Sequence, residues 1–156
     1  MHEKALGKFP LMGFNPTTNH AIIYDEGSEY FTGTTLEGIG QAVLGIMQHP
    51  SETANRFVKV RSIYTNQNEL LAAFENVSGK KWSVGKNTTA ELKESGREKY
   101  RSGTSGWVLE LVVAQLFDLG EGRGVVARTR EESDSELLGV REETAEEVVR
   151  KIYQAM

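Results

Sequence analysis

Apolar side chains in this chain fall into short bursts separated by glycine, proline and polar clusters, and the spacing inside each burst predicts the element it forms. Pro10, Gly13 and Pro16 among the apolar residues before Ala21 predict an irregular opening segment. Ala21-Ile22-Ile23-Tyr24 reads as a short buried strand, Asp25-Glu26-Gly27-Ser28 as a turn, and Glu29-Tyr30-Phe31-Thr32 as a second strand, so that the two make a hairpin. Thr34 or Thr35 can cap the helix that follows. Its Leu36, Ile39, Val43, Ile46 and Met47 recur at helical spacing and predict the core face, and His49-Pro50 stops it. Arg56 to Ile63 alternates polar with apolar and is the clearest strand of the sequence.

Thr65 is placed to cap a helix through Glu69, Leu70, Leu71, Phe74 and Val77, with Gly79 as its stop. An extended piece around Trp82-Ser83-Val84 precedes a strongly charged helix capped at Thr88 or Thr89 and reaching about Tyr100. Between Thr104 and Leu119, Trp107, Val108, Leu111, Val112, Ala114 and Leu116 predict a helix apolar over a wide arc, which must pack on another element. Gly120-Glu121-Gly122-Arg123-Gly124 ends it as a flexible loop, and Val125-Val126-Ala127 reads as extended. Glu131 to Glu136 reads as a solvated acidic stretch. The last helix is expected to start near Glu142, with Ala145, Val148, Val149, Ile152 and Tyr153 on one face and carboxylates early, where the helix dipole favours anions.

No repeat or low-complexity linker divides the 156 residues, so 1–156 reads as a single domain, and 38% hydrophobic residues suffice for a modest core. With 22 acidic against 18 basic side chains the net charge is -4, which gives no field that would draw the chain to nucleic acid. The absence of cysteine excludes a disulfide framework, a thiolate metal site and a cysteine nucleophile. Met1 to Lys8 lacks the apolar run of a secretory signal, and the stretch Val108 to Leu116 is broken by Glu110 and Gln115, so a cytoplasmic protein with no membrane span is expected.

Gly120-x-Gly122-x-Gly124 is the only glycine-rich run, but a dinucleotide fingerprint needs a strand before it and a helix after it, and here the order is reversed. It reads as a helix-ending loop, with Arg123 as the residue that would test a phosphate role. His2, His20 and His49 show no paired ligand spacing, so no metal site is expected. No Gly-x-Ser-x-Gly elbow occurs, and none of Tyr24, Tyr30, Tyr64, Tyr100 and Tyr153 is followed four positions later by lysine, as the acid–base pair of short-chain reductases requires. No catalytic residue and no cofactor-binding residue is assigned. Phe14, Trp82, Tyr100 and Trp107 are the candidate apolar walls of a substrate pocket, each with core packing as the alternative role.

The ordered segments Ile23 to Thr32, Thr35 to Val43, His49 to Arg56, Val58 to Ser62, Thr65 to Leu71 and Ser78 to Trp82, with Leu137-Leu138-Gly139-Val140 before the last helix, resemble the second half of fungal NmrA-like and isoflavone-reductase-like proteins. The resemblance implies an α/β fold that is an incomplete Rossmann type: late strands, a small α+β substrate-side subdomain and closing helices. It places the dinucleotide-binding half, and the acid–base lysine of the isoflavone-reductase branch, outside this chain. NADP(H) is then the family's cofactor, with none bound by this chain alone.

Two functions follow from the resemblance. One is the substrate-side portion of an NAD(P)-dependent oxidoreductase acting on an aromatic or secondary-metabolite substrate, inactive alone. The other is a non-catalytic regulatory or binding module of the NmrA type, working through protein contacts. A late strand at Arg56 to Ile63 without its Rossmann neighbours leaves an unpaired edge. A partner is therefore expected, either the complementary Rossmann half or a second copy held through that edge or through the apolar face of Thr104 to Leu119.

Overall fold

The computed structural model describes residues 11–156, so the first ten residues of the expected irregular segment lie outside the described residues. A 3₁₀ turn at Leu11–Gly13 leads into strand β1 (Phe14–Asn15), which pairs antiparallel with β2 (His20–Tyr24). On its other edge β2 pairs parallel with β5 (Ser83–Asn87). Strands β3 (Phe31–Gly33) and β4 (Ile63–Thr65) form a separate antiparallel pair.

The expected hairpin between Ala21 and Thr32 is not formed. Both edges of β2 are already taken by β1 and β5, and the turn after Tyr24, with Asp25 at φ 51° and Gly27 at φ 68°, directs the chain away. Phe31 pairs with Thr65 instead.

The helices follow their caps. Thr35 accepts from the Gly38 amide to open α1 (Leu36–Gln48), and the short α2 (Pro50–Thr53) follows. Helix α3 (Gln67–Ser78) is capped by Asn66, one residue after the expected Thr65, whose hydroxyl donates instead to Glu69 at 2.8 Å. Thr88 and Glu91 form a reciprocal capping box for α4 (Thr89–Ser102). Helix α5 (Trp107–Phe117) begins after Gly106, not at Thr104, and α6 (Ala145–Gln154) begins after Thr144, which with Glu147 forms a second capping box.

The expected strand at Arg56 to Ile63 is corrected by the structure: only Ile63 enters a strand. A ladder needs a neighbouring strand, and the main chain before Ile63 bonds instead to a loop. The Lys59 amide donates to the Asp134 carboxylate (2.8 Å) and the Arg61 amide to the Ser135 hydroxyl (3.0 Å), which itself donates to the Arg61 carbonyl (2.9 Å). The acidic stretch is therefore not merely solvated, since Ser135 is fully buried within it.

The main core unites Phe14, Ala21 and Ile23 of the sheet with Leu70 and Phe74 of α3, Leu92 of α4, Val113 and Phe117 of α5 and Val149 of α6. A smaller core holds Ala42, Leu138 and Val140. Helix α1 overturns its expected core face: Leu36, Ile39, Val43, Ile46 and Met47 are all exposed, Met47 to 74%. Its buried side is Gly38, Ala42 and Gly45, because these small residues let the backbone come close to Ser62 and Leu138.

Candidate functional site

Where the 3₁₀ turn meets α5, Met12, Gly13, Tyr24, Leu92, Leu109, Glu110 and Val113 line a cleft of about 190 Å3. Two of its lining segments are joined by Gln67, fully buried, whose amide nitrogen donates to the carbonyls of Met12 (2.9 Å) and Ile22 (3.1 Å) while its oxygen accepts from the Tyr24 amide (2.9 Å). One side chain thus ties the turn to β2. Met12 and Gly13 both take positive φ, and a Cβ at Gly13 would collide with the Ile22 carbonyl. That close approach requires glycine.

Tyr24 ends β2, at the carboxyl end of a parallel strand pair, where open α/β sheets bind ligands. Its ring stacks on Phe117 with centroids 5.9 Å apart. Burial, and then the charge of Glu110, push the Tyr24 phenol above its ordinary value, so it stays neutral at physiological pH. Glu110 is itself compensated by the Lys99 ammonium (2.5 Å) and the Ser95 hydroxyl (2.9 Å).

The sequence-predicted pocket residues separate into two pairs. Phe14 and Trp82 lie in the main core, both in ring contact with Phe74. Tyr100, 64% exposed, meets Trp107 edge-on at 4.9 Å on the α4–α5 hairpin. None of the four lines the cleft, and the sequence reading did not single out Met12, Gly13 or Glu110. The available signal was Tyr24 itself, a polar-tipped aromatic closing an apolar strand just before a turn.

Among the described residues, the glycine-rich loop at Gly120 to Gly124 does not fit a pyrophosphate. In the Gly120 to Gly124 loop the Gly120 amide donates to the Glu29 carboxylate (2.8 Å), the Glu121 amide to the Asp118 carbonyl (2.9 Å) and the Arg123 amide to the Gln115 carbonyl (3.1 Å). Three of the loop's five amides are thus bonded within the protein, and Glu29 sets a negative charge against the loop. Among the described residues no group of three His, Cys, Asp or Glu is placed to hold a metal ion, and no helix is long and apolar enough to cross a membrane.

No protein-family model matches the chain. The protein named "Oxidoreductase poxI" of Penicillium oxalicum is 59% identical over 150 residues, which is 96% of this chain and 48% of that protein. "Oxidoreductase aprR" of Aspergillus flavus is 32% identical over 101 residues, 65% of this chain and 33% of that protein. This chain is homologous to fungal oxidoreductases. It spans about half the length of the first of these oxidoreductases and about a third of the second. The crystal structure of a nucleoside-diphosphate-sugar epimerase from Staphylococcus aureus aligns at a TM-score of 0.58 and 18% identity, covering 96% of this chain and 49% of that one. The likeness is one of fold, and with the parallel β2–β5 pair it makes this chain part of a Rossmann-type α/β fold.

Proposed function

We propose that the chain is the substrate-side portion of an NAD(P)-dependent oxidoreductase of the NmrA-like, isoflavone-reductase-like kind, acting on an aromatic or secondary-metabolite substrate. The nicotinamide cofactor is held by a complementary Rossmann half. The observation that carries this reading is the 59% identity, sustained over 150 residues, to an oxidoreductase about twice as long.

Two features support the division of labour. In the glycine-rich loop three amides are already bonded within the protein and the Glu29 carboxylate sits against them, which disfavours a pyrophosphate there. Helix α1 turns Leu36, Ile39, Val43 and Met47 to solvent, and Phe57 is 98% exposed on the segment before β4. Burying one such side chain contributes about 1.5–3 kcal/mol, and a complementary half is the occupant that would recover it. Alone, the chain is expected to self-associate through the same apolar surface.

The test mixes this chain with the separately produced other half of the Penicillium oxalicum oxidoreductase and follows sedimentation and NADPH absorbance over a panel of aryl ketones. Association that Val43→Asp and Met47→Asp weaken at least about tenfold, with NADPH consumption only in the mixture, is expected. No association, or the same consumption by the other half alone, overturns the proposal.

A further inference from the structure

We infer that the cleft beside α5 is a subsite for one aromatic ring, with the Tyr24 hydroxyl donating a hydrogen bond to a carbonyl oxygen carried on that ring. The word substrate for this ligand rests on the function proposed above; the site rests on its own geometry.

Tyr24 is 8% exposed and lines the cleft, yet among the described residues no group hydrogen-bonds its hydroxyl. The Tyr153 hydroxyl, which lines no such cleft, is buried without a partner. Tyr24 is nine-tenths buried and lines the cleft, so a ligand oxygen in the cleft is the partner that would satisfy its hydroxyl. An ordinary tyrosine is already protonated at neutral pH and burial raises Tyr24 further, so its hydroxyl serves as a donor across the physiological range.

The walls fix the rest of the ligand. Met12, Leu92, Leu109 and Val113 are apolar, and Met12 can adapt to a flat ring. An apolar cavity of roughly 150 Å3 accommodates benzene, so about 190 Å3 takes one ring with a carbonyl attached. Glu110, the one charged wall, is matched by Lys99 and Ser95 and does not repel a carbonyl as a bare carboxylate would. Whole small-molecule sites run to roughly 300–1,000 Å3, so a larger ligand would extend past Leu109 over the exposed Val108 and Val112 of α5.

The probes are acetophenone and ethylbenzene, which share a ring and differ in the carbonyl, titrated into the chain alone and followed by two-dimensional amide NMR. Shifts at Gly13, Leu109 and Val113 are expected with both. Tyr24→Phe should weaken acetophenone by about three- to tenfold and leave ethylbenzene unchanged. Leu109→Trp, at a half-exposed position that tolerates bulk, should abolish both. Absence of shifts at the cleft amides, or equal acetophenone affinity in the wild type and Tyr24→Phe, overturns the inference. Neither result depends on NADPH or on the complementary half, so this subsite and the proposed function can fail separately.

Discussion

Two glycines in α1 test the packing account directly, because the same substitution should have opposite effects at each. At Gly40 an added Cβ meets nothing within 4 Å, so Gly40→Ala collects the full helix-propensity difference. That stabilises by about 0.8–1 kcal/mol. Gly45→Ala gains the same propensity, but its Cβ would lie 2.6 Å from the Leu138 Cα and closer still to the Leu138 carbonyl oxygen. Carbon contacts are favourable at roughly 3.5–4 Å, and the atoms in the way are backbone, so the chain around Leu138 must shift. Overpacking of this kind costs about 1–3 kcal/mol. The upper part of that range applies, because a shift at Leu138 disturbs the small core of Ala42, Leu138 and Val140 and the nearby Ser135 bonds to Arg61. The net for Gly45→Ala is a loss of about 1–2 kcal/mol. The two variants should therefore differ by about 2–3 kcal/mol in urea unfolding at unchanged m. A Gly45→Ala protein as stable as the wild type would refute the close approach of α1 to Leu138.

Acid should loosen the same region. Burial disfavours the charged form of Glu143, but Lys151, Thr35 and Ser62 outweigh it and hold its carboxyl below the ordinary 4.5, while the Thr144 amide and Arg141 lower Glu147 to about 2. Both groups bind protons more readily unfolded than folded, so their contribution is complete above about pH 4.5 and is lost as pH falls through the folded values. Urea unfolding from pH 7 down to 2.5 should show this slope, and Glu147→Gln should flatten it; equal slopes would count against the pairing. Ser135→Ala should destabilise by about 1–3 kcal/mol, read from the same unfolding curves, because it strips the buried main chain of Arg61 of its partner. NADPH titrated into the chain alone should give no saturable change in Trp82 and Trp107 fluorescence, since the Gly120, Glu121 and Arg123 amides are already bonded and the Glu29 carboxylate faces the loop.

What was legible in the sequence was local. Thr35, Thr88 and Gly79 delimit helices through bonds made within a few residues, and caps of that kind can be read from neighbours in the chain. The direction of α1 could not be read this way. Periodicity separates an apolar side from a small-residue side but does not say which is covered, and Gly38, Ala42 and Gly45 recur at helical spacing as regularly as Leu36, Ile39 and Val43. The contact that decides it comes from Leu138, far along the chain. The hairpin failed for a related reason: the partner of β2 is β5, joined across a long crossover, and adjacency in sequence favoured the wrong strand.

The site was less legible than the fold, and the difference lies in what selects an aromatic for each role. Large rings were chosen by residue type, but Phe14 lies in β1 and Trp82 just before β5, on either side of β2, and their rings both meet Phe74 of α3. They are held by core packing. Tyr24 is set apart by its place at the carboxyl end of a parallel strand, with Gln67 fixing the backbone beneath it and α5 supplying Leu109 and Val113 opposite. Each of those conditions depends on a contact between residues remote in sequence. A single buried glutamine makes three of the bonds that build the cleft, so Gln67→Ala should release Met12 and Gly13 from β2. If the acetophenone shifts at Gly13 survived in a folded Gln67→Ala chain, the cleft would not be organised as described.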